Sequence, residues 1–361
     1  MVRRVHNFCA GPCTLPLSVL KDVQQEFVDF QNAGMSLIEM SHRSKEYDAV
    51  HMEAMRLARE TFGAPDDFEV LFIQGGATLQ FAMVPMNLLK TGQKAGYVNS
   101  GSWATGALRD GAHYGELYTA WDGAGEDYMR MPAPAEIALQ DDTRYLHVTS
   151  NETIGGIRIT EWPDLGVPLV ADVSSEFMAR PIPWKLFDLV YGGIQKNLGP
   201  AGMAVVFVRK SALADANQNI ANYLRYDVHA DKQSLFNTPP MFAIYMLGKV
   251  LAWMQDRGGL AVIEQDAADK AGMLYGVIDA SDGFYRCPVN EQNRSHMNVV
   301  FRLPDEDLEA RFLKEAASAD MVNLKGHRSV GGCRASIYNA MPKESVGVLA
   351  DFMRQFAKQN G

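Results

Sequence analysis

Apolar positions in the first third of the chain change period. Leu17, Leu20, Val23 and Phe27 recur at three- and four-residue spacing, the mark of one helix face, and predict a helix over 17–30. It follows a short arm, residues 1–15, punctuated by Gly and Pro. Tyr47, Val50, Ala54, Leu57 and Phe62 form a second stripe behind Ser44, whose hydroxyl suits an N-cap. From Phe68 the pattern becomes short apolar runs divided by glycine turns and helical stretches. Strands are predicted at 69–73, 95–99, 115–120, 145–149, 169–172, 186–191 and 203–208, with a helix over 79–89. Strands alternating with helices give an α/β fold, a mostly parallel sheet covered on its faces.

Beyond residue 240 the grain shifts again. Positions 242–279 read as helix, interrupted at Gly258-Gly259. Runs 298–303 and 332–337 then flank a helical 306–317, and 343–358 closes the chain as a helix. This is the pattern of a small α+β module.

Composition narrows the class. The chain has 361 residues, 47% of them hydrophobic and 21% charged, which permits two cores and fits an ordinary globular protein. A formal net charge of -9 argues against nucleic acid or an anionic membrane as partner. Cys9, Cys13, Cys287 and Cys333 lack zinc-ligand spacing and are read as reduced thiols of a cytoplasmic protein. The basic N-terminus is followed by no signal-peptide stretch, and no run reaches the roughly 20 apolar residues of a membrane span.

The chemistry centres on Lys196, in Tyr191-Gly-Gly-Ile-Gln-Lys196-Asn-Leu-Gly-Pro, directly after the 186–191 run and 24 residues beyond Asp172. Ligands of open α/β sheets bind at the carboxyl ends of strands. A lysine and a carboxylate on successive strand ends form the pattern of a pyridoxal-phosphate enzyme, with the amine as Schiff-base donor and Asp172 on the pyridinium nitrogen. Gly75-Gly76-Ala77-Thr78 joins a strand to a helix, where free amides and the helix dipole favour phosphate. The same glycines also suit a plain turn. Trp103 follows the 95–99 strand as a flat stacking surface or a core residue, and Thr153 follows the 145–149 strand with a hydroxyl to offer.

With these, the runs Asn7-Phe-Cys-Ala-Gly-Pro12, Met-Ser-His42-Arg43-Ser, Asn151-Glu-Thr153, Ala171-Asp172-Val-Ser-Ser, Asn237-Thr238-Pro-Pro and Arg334-Ala-Ser-Ile-Tyr-Asn-Ala340 resemble the phosphoserine aminotransferase family, across nearly the whole chain. The His42-Arg43 and Arg334 segments are its most specific pieces. The resemblance implies a fold type I enzyme dependent on pyridoxal 5'-phosphate. Its large domain would span 16–265, with a mostly parallel seven-stranded sheet. Residues 1–15 and 266–361 would make the small domain.

The implied reaction moves the amino group of L-glutamate to 3-phosphohydroxypyruvate, giving O-phospho-L-serine and 2-oxoglutarate in serine biosynthesis, with a related step in pyridoxine biosynthesis. Lys196 and Asp172 are the implied catalytic pair. Ala77, Thr78 and Gln195 would surround the cofactor phosphate, together with Asn237 and Thr238 of the neighbouring subunit of a homodimer. Trp103 would stack on the ring and Thr153 would contact its hydroxyl side. Arg334 would clamp the substrate carboxylate, and His42, Arg43, His327 and Arg328 its phosphate or distal carboxylate. No metal is implied. Competing expectations are another fold type I enzyme, either a cysteine desulfurase using Cys333 or an alanine–glyoxylate or serine–pyruvate aminotransferase, and a cofactor-binding regulator without catalysis.

Overall fold

Seven apolar runs hydrogen-bond into one sheet, in the order Phe68–Gln74, Met203–Arg209, Phe187–Gly193, Leu169–Asp172, Thr143–Thr149, Lys94–Asn99 and Glu116–Asp122. The structure is a computed structural model and describes residues 3–361; Met1 and Val2 of the expected arm lie outside the described residues. Met203–Arg209 runs antiparallel to both neighbours and the other pairings are parallel. Every residue of Leu169–Asp172 and Phe187–Gly193 is buried, as expected of strands covered on both faces.

Side chains alternate between two cores, as a period of two demands. Val70, Phe72, Val205 and Phe207 pack with the helices Lys45–Phe62 and Met241–Asp256. Leu71, Ile73, Val206 and Val208 face the other way, against Phe81, Val84 and Ala107 of the helices Gly76–Leu88 and Ser102–Gly111. Ser44 caps its helix by accepting from the Tyr47 amide at 3.2 Å.

A further core joins the last strands and helices. Val299 and Ala335, paired across the antiparallel strands Asn298–Phe301 and Cys333–Ser336, meet Phe312, Leu349 and Phe356. Phe8 of the N-terminal arm enters the same core, and His6–Asn7 pairs with Met321–Val322. Helix Leu260–Asp279 serves both bodies. Its Ile263 belongs to the large core, and its Ala271, Leu274 and Ile278 belong to the C-terminal one.

Two local expectations need correcting. The first helix stops at Glu26 rather than at residue 30, where Phe27 instead packs edge-on against Phe242 and a short 3-10 turn follows at Phe30–Asn32. The helix expected from residue 79 begins at Gly76, because left-handed φ values of 97° and 71° at Gly75 and Gly76 turn the chain abruptly from strand to helix. Ala77 and Thr78 are therefore first-turn residues.

Candidate active site

Parallel strands delivering their carboxyl ends to one edge collect polar residues there, and the register fixes which. Asp172 sits opposite Thr149 and Tyr191, and Gln74 opposite Met203. Gly193 ends its strand and Lys196 follows in the next turn. Beside it a Cβ at Gly192 would stand 2.4 Å from the Phe177 ring, so the main chain passes closer than any other residue permits.

Lys196 is 7% exposed. Its amine donates to Thr153 Oγ1 at 2.6 Å and Ser175 Oγ at 3.0 Å, and lies 5.0 Å from the centre of the Trp103 ring. The two hydroxyls also touch each other. Burial pulls the amine down to about 8 against the attraction of Asp172 and Glu152, and Arg334 pushes it the same way as burial. A substantial neutral fraction is thus present near physiological pH. Asp172 is raised by burial, opposed by Lys196 and by Ser174, whose amide donates to Oδ1 at 2.9 Å.

A cavity of about 260 Å³ opens on this pair. Trp103, Thr153, Gln195 and Asp172 line it with Lys196, and Ala77 and Thr78 contribute the helix start. His327 and Arg334 close it from the C-terminal body. Arg334 donates to the Thr153 carbonyl at 3.2 Å and, among the described residues, makes no salt bridge. Burial lowers its affinity for the proton. A larger cleft, about 560 Å³, shares Ile154 and Arg334 with this cavity and extends past Ser102, Tyr128 and Arg302.

The donor set fits the expected pyridoxal phosphate. First-turn amides of a 13-residue helix lack acceptors within the helix, and Thr78 adds a hydroxyl beside them. Gln195 lines the same cavity, and its side-chain amide N–H2 can donate to a phosphate. A partly charged amine, a buried carboxylate and an indole face supply what the aldehyde, the ring nitrogen and the ring plane require.

Five expected residues do not line this cavity within one chain: His42, Arg43, Asn237, Thr238 and Arg328. Four of them share a neighbourhood on the surface. Thr238 Oγ1 lies 3.4 Å from His42 Nδ1, Gln74 donates to the Thr238 carbonyl at 2.9 Å, and Arg43 and Asn237 are exposed beside them. Arg328 is exposed next to His327, whose Nδ1 pairs with the Ser329 hydroxyl at 2.7 Å. Cys333 is buried at the start of its strand with its thiol pushed far up by desolvation, the reverse of a nucleophile on a mobile loop.

Sequence reasoning missed Ser175 and Glu152. Each adjoins a residue that was singled out, in the runs Asp172-Val-Ser-Ser and Glu152-Thr153, but only the folded chain turns them toward Lys196 and Trp103.

Known proteins match the chain over almost its whole length. The model of the class-V aminotransferases matches residues 5–349. A phosphoserine aminotransferase of Lysinibacillus sphaericus is 49% identical over 361 residues, covering all of both chains. The solved phosphoserine aminotransferase of Bacillus circulans subsp. alkalophilus superposes with a TM-score of 0.97 at 50% identity over 99% of each chain. A pyridoxal-phosphate-bound phosphoserine aminotransferase from Trichomonas vaginalis gives 0.93 at 34% identity, covering 97% of this chain and 100% of its own.

Proposed function

The chain belongs to the class-V aminotransferases, fold type I enzymes dependent on pyridoxal 5'-phosphate, and from that premise we propose that it transfers the amino group of L-glutamate to 3-phosphohydroxypyruvate. The products are O-phospho-L-serine and 2-oxoglutarate. One observation carries the reading: a single cavity holds the Lys196–Asp172 pair together with an unpaired arginine, Arg334, and His327. Both amino acids of the reaction carry an α-carboxylate and a second anion, and so need an arginine fork and a separate cationic group.

Bound in this cavity, pyridoxal 5'-phosphate supplies an electrophilic aldehyde and a ring able to take electrons from the substrate Cα. Lys196 would hold the cofactor through its amine and, when that amine is free, would move the proton from the substrate Cα. An amine tuned to about 8 is suited to both tasks. Thr153 and Ser175 orient that amine through their hydroxyls. Asp172 keeps a proton on the ring nitrogen. Trp103 covers the ring face and excludes water, and Ala77, Thr78 and Gln195 hold the phosphate. Arg334 would bind the substrate carboxylate and so present the Cα–H bond to the Lys196 amine.

His327 lines the cavity toward the substrate's distal anion, and Arg328, exposed beside it, would turn in to join it. His42, Arg43, Asn237 and Thr238 complete the site of a second copy in a homodimer. Their clustering at one surface supports this, as do the exposed apolar residues Val28 at 79%, Ile38 at 52% and Phe236 at 41% on the neighbouring segments. The separate cores support a large domain of 16–265 and a small one of 1–15 with 266–361. Among the described residues no helix is long and apolar enough to cross a membrane.

The test is coupled amino transfer from glutamate to 3-phosphohydroxypyruvate and to its unphosphorylated analogue. A strong preference for the phosphorylated acid is expected. A preference below about tenfold, roughly 1.4 kcal/mol, would deny the cationic group its role.

A further inference from the structure

Glu152 is 1% exposed and, among the described residues, makes no salt bridge. Its two oxygens instead accept the amides of Trp103 at 3.1 Å and Ala104 at 2.8 Å, free donors at the start of helix Ser102–Gly111. The contact leaves no slack. A Cβ at Gly101 would stand 2.6 Å from the Glu152 carboxyl carbon, so the carboxylate rests on the main chain of the turn. On its other side Asn151 is anchored to the C-terminal body, donating to Asn298 Oδ1 at 2.9 Å and accepting from Ser295 Oγ at 2.5 Å.

The indole that this turn carries has no polar tether of its own. Among the described residues Trp103 Nε1 is buried without a partner, so the ring is oriented by its packing and by the main chain beneath it. That main chain is what Glu152 grips. The next residue, Thr153, bonds the Lys196 amine, so a two-residue segment reaches both the indole and the amine.

We propose that Glu152 is a positioning residue for the cofactor: by clamping the Trp103 and Ala104 amides it fixes the indole plane over the place where the ring binds. The inference rests on the reading that Trp103 covers that ring. Neither tetrahedral chemistry nor proton transfer is asked of Glu152, only the orientation of a neighbour.

The experiment measures pyridoxal 5'-phosphate affinity of the stripped protein and the visible circular dichroism of the bound cofactor in E152Q, G101A, W103A and the double variants with W103A. Gln keeps the shape but turns one acceptor into a donor facing an amide, and G101A crowds the same carboxylate from the turn it rests on. Either is expected to weaken cofactor binding about tenfold and to reduce the dichroic amplitude, with little further loss when combined with W103A, because residues acting as a unit are non-additive. If E152Q fails to fold, G101A and G101A/W103A read the same coupling. Parent-like binding and dichroism in E152Q, or an E152Q loss of undiminished size in the W103A background, would overturn the inference alone. Parent-like values in W103A would overturn the reading of the indole, and the inference with it.

Discussion

Arg334 donates to the main-chain carbonyl of Thr153 at 3.2 Å, while the hydroxyl of the same threonine receives the Lys196 amine at 2.6 Å. The group proposed to grip substrate and the group proposed to do chemistry are thus referenced to one residue, across the joint between the two bodies.

Thr153→Val separates those roles. It removes the hydroxyl and keeps the carbonyl, leaving Ser175 as the remaining partner of Lys196. Hydrogen bonds to charged groups contribute about 1.5–3 kcal/mol, so kcat should fall on the order of 10- to 100-fold with a smaller change in KM for glutamate. Arg334→Lys, which loses the fork, should do the opposite. Steady-state kinetics with both substrates decide, and a T153V effect confined to KM would contradict the assignment.

The depressed Lys196 amine sets the pH dependence of cofactor capture. Its protonated form cannot attack an aldehyde, and burial brings its midpoint to about 8 from an ordinary 10.5. Reconstitution of stripped protein with pyridoxal 5'-phosphate should therefore accelerate with rising pH and level off above about 8. Stopped-flow absorbance reads the rate directly. A rate still climbing beyond pH 10 would mean an ordinary lysine.

Folding stability should carry the signature of Glu152. Burial raises its carboxyl from 4.5 to about 7, against the two backbone amides, with Asp172 raising it further and Lys196 lowering it. The folded chain then binds this proton more tightly than the unfolded one. The resulting stabilisation is complete below about 4.5 and is lost as pH rises through about 7, on the order of 3 kcal/mol in all. Urea unfolding of the stripped protein at pH 5 and pH 7.5, at one concentration, should show a drop that E152Q reduces. Lys196 has the opposite sign, its penalty lifting only above about 8. An unchanged slope in E152Q would rule the assignment out.

Cys333→Ala tests the competing chemistry. The side chain is 2% exposed and packs in the C-terminal core, so its loss should cost stability on the order of 1 kcal/mol and leave amino transfer within about twofold. Loss of a cysteine-dependent turnover in C333A would instead support a desulfurase.

Much of this site was legible because its signals are local. Lys196 and Asp172 stand at strand ends announced by apolar runs, and Ser44 capped its helix as its position suggested. What stayed hidden depends on distant partners. Nothing in the periodicity of 17–30 says that Phe27 leaves the helix to meet Phe242. The approach of Thr238 to His42 spans 196 residues, and the resemblance rather than any spacing suggested that both matter. Glu152 reads as an ordinary acidic residue until the Trp103 helix is laid against it.

The reversed strand Met203–Arg209 has a mechanical corollary. It begins where its neighbours end, so residues 194–202 loop back as a hairpin whose base is closed by the Ile194 amide on the Met203 carbonyl at 3.1 Å. Gly202, at its foot, accepts the Gly75 amide at 3.0 Å, at the entrance of the helix proposed to hold the phosphate. The lysine and the phosphate cradle are consequently two ends of one rigid bracket, and a single inserted or deleted residue between them would move the amine relative to the cradle. Length variation in this enzyme is to be sought in its outer loops; this hairpin has none to give.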